Sequence, residues 1–243
     1  AFDKIMVEKR TPDFQQVNTN KKKILANSFS DCKKIYPFDY EINDKIINAY
    51  YIINILNSYI DLPKTKFITE IGAGNGNLIS LFKSHFKTQC IIDIDLPETL
   101  ILCIPFLNNL FPDAKILLPN EIDDNINENS LLKHDFIFLT PNQINLLKEN
   151  LIDLFINTHS FGEMNMVQIA EYFKLIQRVG KKDSFFFNYN RVEKIPTSNK
   201  NMKPIRFLEY PFFDNKILFF EICRLIGMVQ TDPVYLRLEK IIK

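Results

Sequence analysis

Three closely spaced glycines in the stretch EIGAGNG, residues 70–76, form the first pattern in the sequence that could do chemistry. Gly72, Gly74 and Gly76 follow an apolar run typical of a buried strand, and the acidic residue Glu70 stands just before them. Glycines let a chain turn sharply and bring backbone N–H groups close to a ligand. The N-terminus of a following helix adds a positive field. The pattern predicts a cofactor site at the end of this strand; a glycine-rich loop that binds nothing is the alternative.

A carboxylate at the end of the next predicted strand extends this pattern. Asp95 follows the glycines by about 20 residues, a position from which a carboxylate can accept hydrogen bonds from ribose hydroxyls. Asp93 lies two residues earlier on the same face of the strand and is the second candidate. The succession of strand, glycine turn, helix, strand and terminal Asp favours cofactor binding over a plain loop.

The spacing of the glycines separates two classes of cofactor. A dinucleotide fingerprint is G-x-G-x-x-G, whereas this sequence has G-x-G-x-G; a Rossmann oxidoreductase is kept as an alternative. This spacing, with an acidic residue before the turn, resembles motif I of class I S-adenosylmethionine (SAM)-dependent methyltransferases. The resemblance implies that Gly72, Ala73, Gly74 and Gly76 wrap the methionine part of SAM. It also implies that Glu70 engages the amino group of SAM, directly or through water.

The same resemblance adds residues from three neighbouring loops to the cofactor site. Asp95 and the adjoining Leu96 follow the second strand, and Thr158 ends the strand predicted at 151–158. In this family the adenine pocket forms after the strand that corresponds to residues 134–140, where Asn142 or Gln143 would hydrogen-bond the adenine edge. An ordinary polar turn is the alternative for that loop.

A second segment, NTHSFGEM at residues 157–164, indicates what the methyl acceptor is. Together with IDLPETL (94–100), IAEYFKLI (169–176) and FFFNYNR (185–191), it resembles the sugar O-methyltransferases that include enzymes of macrolide-sugar and surface-polysaccharide tailoring. The resemblance covers residues 36–211 and implies a sugar hydroxyl as acceptor, nucleotide-linked or part of a glycan precursor. A SAM enzyme with a phenol, phosphoryl or carboxylate acceptor and a non-catalytic SAM-binding protein are the alternatives.

His159 is the candidate general base. Methyl transfer is an in-line displacement whose leaving group needs no acid, but a sugar hydroxyl is a poor nucleophile and benefits from a base that removes its proton. A histidine has a suitable ordinary pKa, and His159 lies on the loop expected to face the methyl group. His85 and His134 are the only competing histidines. A structural histidine that hydrogen-bonds the loop is the alternative role for His159.

Four further residues near His159 are assigned to catalysis or to the substrate. Glu163 either completes a capping box with Ser160 at the start of a helix or orients SAM, the base or the sugar. Asn157 and Ser160 are predicted to bind substrate hydroxyls. Arg191 is predicted to hold an acceptor phosphate, with a surface arginine as the alternative.

Strands and helices alternate from residue 67 to 190, which predicts an α/β fold with a mostly parallel sheet and helices on both faces. Together with the glycine turn, this pattern favours the Rossmann-like class I methyltransferase fold. Strands are predicted at 67–71, 89–95, 114–118, 134–140, 151–158, 184–189 and 234–241, and helices at 77–86, 97–111, 141–150 and 165–179. Pro105 is expected to kink or divide its helix, and Gly180 to cap the last one. Residues 119–133 and 192–206 are predicted to be loops, and 217–226 either a strand or a short helix.

Two domains are predicted, an arm with a helical lid at residues 1–62 and the catalytic core at 63–243. The lid helix, at residues 43–59, has apolar residues at helical spacing; a packing helix against the sheet is the alternative. Phe207, Tyr210, Phe212 and Phe213 either stack on a sugar ring or pack in the core.

Composition and charge exclude several classes of partner. The net charge of +1 argues against an extended nucleic-acid surface, because phosphate binding needs clustered Lys and Arg. No apolar run reaches the length of about 18 residues that spans a bilayer. The four cysteines show no metal-ligand spacing and no disulfide framework. Together with the absence of a signal peptide at the start of the sequence, this pattern indicates a reducing, cytoplasmic location. No metal site is predicted, although Asp153 and Glu163 are candidate ligands of a divalent ion.

Overall fold

The computed structural model describes residues 44–86, 90–195, 203–223 and 233–243. The arm predicted for the first 30 residues lies outside them. One compact unit ends at Ile60 and a second runs from Asp61 to Lys243. In the first unit, helix α1 spans Asp44–Asn57, as its apolar spacing predicts. Its role as a lid stays a prediction.

The second unit is built on a large sheet to which eight strands of the described residues contribute. Their order is β3-β4-β2-β1-β5-β6-β10-β9. The strands are β1 (Phe67–Ile71), β2 (Cys90–Ile94), β3 (Ile116–Leu117), β4 (Phe136–Leu139), β5 (Ile152–Thr158), β6 (Gly180–Arg191), β9 (Lys216–Cys223) and β10 (Val234–Lys240). A separate antiparallel pair is formed by β7 (Glu193–Lys194) and β8 (Ile205–Arg206).

The sheet is parallel from β3 to β6, and β10 pairs antiparallel with both β6 and β9. Strand β1 lies between β2 and β5. The strands β2 to β4 therefore lie on one side of β1, and β5, β6, β9 and β10 lie on the other side. In open α/β sheets such a reversal leaves a crevice at the carboxyl ends of the two central strands, where ligands bind. The fold therefore puts the ends of β1 and β5 at the expected binding position.

Helices cover both faces of this sheet, which confirms the predicted α/β architecture. They are α2 (Asn77–His85), α3 (Pro97–Leu110), α4 (Glu128–Lys133) and α5 (Met166–Val179). Ile169 and Phe173 of α5 share a buried cluster with Ile92 of β2. Cys103 of α3 instead lies near Asp93, which points to the opposite face because side chains alternate along a strand.

Two predicted irregular regions contain more regular structure than expected. Residues 119–133 hold helix α4, whose first turn is capped by Asn127, which accepts a hydrogen bond from the Ser130 backbone. The Asn-rich composition concealed this N-cap signal. Residues 192–206 include β7 and β8, and the undecided segment is strand β9 as far as Cys223.

Three other details differ from the sequence-based expectations. Pro105 lies inside α3, which runs as one helix from Pro97 to Leu110, so the proline does not divide it. Residues 141–150 contain only a 3-10 helix, Pro141–Leu146. Gly180 is the C-cap of α5, as predicted, and its N–H donates to the Ile176 carbonyl, but its φ of −59° is not left-handed and it begins β6 directly. A Cβ there would lie 2.8 Å from the Ile176 carbonyl oxygen, so close approach of backbone explains this glycine.

Candidate active site

The turn after β1 is built from glycines in the left-handed region. Gly72, Gly74 and Gly76 have φ values of 79°, 62° and 84°, which other residues adopt only with strain. A Cβ on Gly72 would lie 2.4 Å from the Ser160 Cβ, whereas a Cβ on Gly74 would meet nothing within 4 Å. The Gly72 backbone is therefore packed against the loop after β5, and the Gly74 backbone borders open space that a ligand can approach.

Carboxylates at the end of β2 hold this turn in place. The Ala73 backbone N–H donates to Asp93 Oδ1 at 3.3 Å, and the Gly74 N–H donates to Asp95 Oδ2 at 3.0 Å. The other Asp95 oxygen accepts from the Leu96 N–H at 2.7 Å. Asp93 is buried and Asp95 only half-buried. Asp93, the second candidate for the ribose contact, thus supports the turn from a buried position. Asp95 remains partly accessible to a ligand.

Glu70 lies directly beneath the turn, and its side chain is buried. Its Oε1 accepts a hydrogen bond from the Thr158 hydroxyl at 3.0 Å. Its Oε2 has no hydrogen-bond partner among the described residues. Glu70 and Asp93 are partners in the β1–β2 register, so two carboxyl groups face the same buried region.

This carboxyl pair is electrostatically unfavourable when ionised. Burial, followed by the nearby Asp93, raises the pKa of Glu70 well above its ordinary value. Burial and the neighbouring Asp95 raise the pKa of Asp93 to about 8. Both effects disfavour charged carboxylates, so a cationic group placed here would be stabilised by a site with an excess of acidic side chains.

On the loop after β5, His159 has a φ of 66°, in the left-handed region. Such strained non-glycine residues concentrate at functional sites. Its ring packs edge-on against Tyr189 at 4.7 Å, and its buried Nδ1 has no hydrogen-bond partner among the described residues. Burial, and then the charge of Arg191, lowers the pKa of His159 to about 4. The imidazole is therefore neutral at neutral pH, as a proton acceptor must be.

The structure does not support the predicted substrate contact of Asn157. Its buried amide donates to the Ile71 carbonyl at 2.8 Å and to the Ser160 hydroxyl at 2.5 Å, and its oxygen accepts from Asn190 at 2.6 Å. Ser160 in turn donates to the Ile71 carbonyl at 2.8 Å. These bonds tie the loop after β5 to the end of β1, so both polar side chains hold the loop.

Two asparagines of β6, which the sequence analysis did not single out, extend this network. Asn190 Nδ2 donates to Asn157 and to Asn188 Oδ1 at 2.5 Å, and Asn190 Oδ1 accepts from the Gly162 N–H at 3.2 Å. Asn188 and Asn190 are both buried. The alternation N-Y-N inside an apolar strand was a usable signal, because a strand puts both amides on one face.

Glu163 is not part of a helix cap, so the predicted capping box is wrong. Helix α5 is capped instead by Asn165 and Gln168, each of which accepts a hydrogen bond from the backbone N–H of the other. The Glu163 carboxylate lies at the surface, 2.9 Å from Lys194 Nζ and 3.9 Å from Arg191 Nη1. Lys194 was missed because it belongs to a two-residue strand in a segment predicted to be a loop.

The loop after β4 leaves one of its two adenine candidates available. Asn142 is exposed. The Gln143 oxygen accepts from the Thr140 backbone, and its nitrogen donates to the Pro119 carbonyl at 2.8 Å. Gln143 therefore stabilises the turn itself, while Asn142 retains its predicted role.

The other two histidines and the candidate metal ligand Asp153 lie away from this edge of the sheet. The Nδ1 atoms of His85 and His134 lie 3.0 and 2.8 Å from carbonyl oxygens of their own helical segments. Asp153, at the start of β5, accepts from the backbone of Lys66 and pairs with Lys181 at 2.8 Å. It is thus at the opposite end of β5 from Glu163, and the two carboxylates cannot share an ion.

A cavity of about 570 Å³ at the amino-terminal edge of the sheet is less suited to chemistry. Arg178 donates to two backbone carbonyls there, and Lys243 Nζ donates to Asn150 and to two carbonyls. Both cations therefore already hydrogen-bond groups of the protein itself.

Within the described ranges, no helix is long and apolar enough to cross a bilayer.

The aromatic residues considered for sugar stacking form a packed cluster. Phe207 and Tyr210 are buried, with ring centroids 5.3 Å apart, and Phe207 lies 5.5 Å from Phe212. Core packing therefore accounts for these three rings. Phe213 is 43% exposed and lines the cavity at the amino-terminal edge, away from the glycine turn.

Comparison by sequence finds no matching family model and no matching curated protein. Comparison of structures finds methyltransferases. The chain resembles magnesium protoporphyrin IX methyltransferase from Synechocystis with bound S-adenosylhomocysteine (SAH), at 9% identity and a TM-score of 0.53, over 92% of this chain and 99% of that one. It also resembles a proposed sarcosine dimethylglycine methyltransferase from Galdieria sulphuraria, at 10% identity and a TM-score of 0.54, over 83% and 92%. A third similar structure, the PH0226 protein from Pyrococcus horikoshii, has 12% identity and a TM-score of 0.54, over 86% and 97%. The chain shares the Rossmann-like α/β fold of these structures.

Proposed function

We propose that the chain is a SAM-dependent methyltransferase whose acceptor is a sugar hydroxyl. The observation that carries the proposal is the turn after β1, where three left-handed glycines are braced by Asp93 and Asp95 at the carboxyl edge of the sheet. Its position beside the β1–β5 reversal is where an α/β sheet binds ligands. The similar structure with bound SAH supports the choice of cofactor.

The residues at this edge fit SAM. Gly74 borders open space, which leaves room for the methionine part. The half-buried Asp95 suits a ribose, and Leu96, 50% exposed, offers an apolar surface to adenine, whose edge Asn142 would contact. The unused Glu70 Oε2 can accept from the amino group of SAM, directly or through water.

The proposed chemistry assigns separate tasks to the two loops. The cofactor supplies a methyl group on a cationic sulfonium. The acidic cluster below the glycine turn stabilises that positive charge, and alignment of the acceptor with the methyl group supplies much of the rate enhancement. His159 would accept the acceptor hydroxyl proton. Because Nδ1 is buried, the proton would go to Nε2.

The sugar acceptor rests on the NTHSFGEM resemblance and on the neutral state of His159. A carboxylate is already ionised near neutral pH and needs no base, and a phenol, with a pKa of about 10, loses its proton far more easily than an aliphatic hydroxyl. A buried, neutral histidine on the acceptor loop therefore favours a hydroxyl substrate.

The experiment is an acceptor screen with methyl-labelled SAM. Free sugars, sugar phosphates, nucleotide sugars, catechol and short carboxylic acids are incubated with the protein, and label is counted in each product. We expect transfer to a sugar-containing acceptor. Transfer to catechol or a carboxylic acid alone would overturn the sugar assignment while preserving the methyltransferase.

A further inference from the structure

The two ends of the candidate site carry different kinds of titratable side chain. Three acidic side chains, Glu70, Asp93 and Asp95, lie beneath and beside the glycine turn, and burial raises the pKa of each. On the other side of His159 lie two cations, Arg191 and Lys194, which both pair with Glu163. A cationic methyl donor suits the acidic end, because a bound cation stabilises ionised carboxylates, and the two cations at the other end favour an anionic acceptor.

The two cations are held more firmly than the carboxylate that joins them. Arg191 and Lys194 both lie within 4 Å of the same Glu163 oxygen. The Glu163 side chain is 62% exposed, against 26% for Arg191 and 19% for Lys194. Ion pairs with such an exposed partner contribute little free energy, so an incoming anion can replace the Glu163 carboxylate at small cost.

The backbone around these cations is fixed by contacts already described. The Gly162 N–H donates to Asn190 Oδ1, and a Cβ on Gly162 would lie 3.7 Å from the Lys194 Cβ. Lys194 is in register with Ile205 in the β7–β8 pair. The backbone that carries the two cations is therefore held by packing and hydrogen bonds, so the cations need little reorganisation to bind a ligand.

We propose that Arg191 and Lys194 bind a phosphate group of the acceptor, which takes the place of the Glu163 carboxylate. This inference rests on the proposed function and narrows its substrate class to a phosphate-bearing sugar. Two cations match the charge of a phosphate ester, and a guanidinium can donate two parallel hydrogen bonds to its oxygens. With the phosphate held there, the sugar hydroxyl would lie near His159.

The first test uses inorganic pyrophosphate as the probe, titrated calorimetrically into the whole chain without cofactor. We expect binding that weakens about tenfold in Arg191→Gln and in Lys194→Gln. Glu163→Gln should bind severalfold more tightly, because the competing carboxylate is gone. Matched controls are Lys240→Gln and Asp183→Asn, an ion pair of 2.8 Å at the opposite edge of the sheet, which should leave the affinity unchanged.

The conservative variant Arg191→Lys distinguishes the contribution of the positive charge from that of the guanidinium geometry. It is also less disruptive to folding than Arg191→Gln. It keeps the positive charge but loses the two-pronged hydrogen bonding, so it should bind pyrophosphate with intermediate affinity. Equal weakening by Lys240→Gln, or no strengthening in Glu163→Gln, would overturn the proposal.

The second test identifies the source of the phosphate. With SAH bound, glucose 1-phosphate and uridine diphosphate glucose are compared with uncharged methyl glucoside. Binding of either phosphate compound, lost in Lys194→Gln, supports the proposal, and the tighter of the two gives the source. Binding of methyl glucoside with equal affinity overturns it. Absence of SAH binding would instead count against the proposed function, so the two failures are distinguishable.

Discussion

Alanine substitutions at Gly72 and Gly74 should have different consequences, although the two glycines are two residues apart and both left-handed. Their φ values are 79° and 62°, so each alanine carries a similar backbone penalty. Their surroundings differ, because a Cβ on Gly72 would overlap Ser160 at 2.4 Å and a Cβ on Gly74 would meet open space.

The expected magnitudes follow from these surroundings. A left-handed alanine costs about 1–2 kcal/mol, and that is the whole stability effect expected for Gly74→Ala. At Gly72 the added methyl must also displace the Ser160 loop, and overpacking adds roughly 1–3 kcal/mol. For a chain of this size, the melting temperature should fall by about 2–4 °C per kcal/mol.

The assay pairs thermal unfolding with calorimetric titration of SAH. We expect Gly74→Ala to unfold only slightly below wild type but to bind SAH at least about tenfold more weakly, since its methyl group occupies the proposed cofactor space. Gly72→Ala should be clearly less stable than Gly74→Ala. Unchanged SAH affinity in Gly74→Ala, or equal stability of the two variants, would refute this reasoning.

Three further substitutions probe the acceptor loop and the buried carboxylates. His159→Gln should lower turnover by about 10²–10⁴ without changing SAH affinity; near-normal turnover would exclude His159 as the base. Because the pKa of His159 is lowered to about 4, the wild-type rate should show no His159 inflection above about pH 5. Asp93 has its pKa raised to about 8 in the folded chain, so its stabilising contribution is present below its unfolded pKa of about 4 and is lost as pH rises towards 8. Unfolding free energy should therefore fall less steeply between pH 6 and pH 8 in Asp93→Asn than in wild type, and identical slopes would contradict this. Asn190→Leu removes the hydrogen bonds that Asn190 makes with Asn157, Asn188 and the Gly162 N–H, so stability should fall by about 1–3 kcal/mol in denaturant titration; a neutral effect would show that the amide network is dispensable.

The parts of the site that depend on local sequence could be predicted. The apolar run before Gly72, the glycine spacing and the acidic residue at the end of β2 are all contained in one strand-turn-helix-strand segment. In such a segment, turn chemistry and strand periodicity act over a few residues. The fold class followed from the same alternation, and the structure confirms it.

The roles that depend on distant contacts could not be predicted. Asn157 reads as a polar residue at a strand end, and only its neighbours β1 and β6 show that its amide is used inside the protein. Asp93 and Asp95 share a face but differ in burial, and the bond from Ala73 to Asp93 appears only once the turn folds over β2.

Glu163 shows how a correct local pattern can mislead. Its spacing from Ser160 matches a capping box, but a second box at Asn165 and Gln168 begins the helix. Ser160 is instead bonded to the end of β1. Lys194, the ion-pair partner of Glu163, became recognisable only through the β7–β8 pairing.

The central claim is that the glycine turn binds SAM, and calorimetric titration of the purified chain with SAH tests it most directly, with NAD as the control ligand. We expect a dissociation constant on the order of micromolar for SAH, weakened in Asp95→Asn, and no binding of NAD. Binding of NAD in preference to SAH, or no SAH binding by a folded sample, would contradict the account.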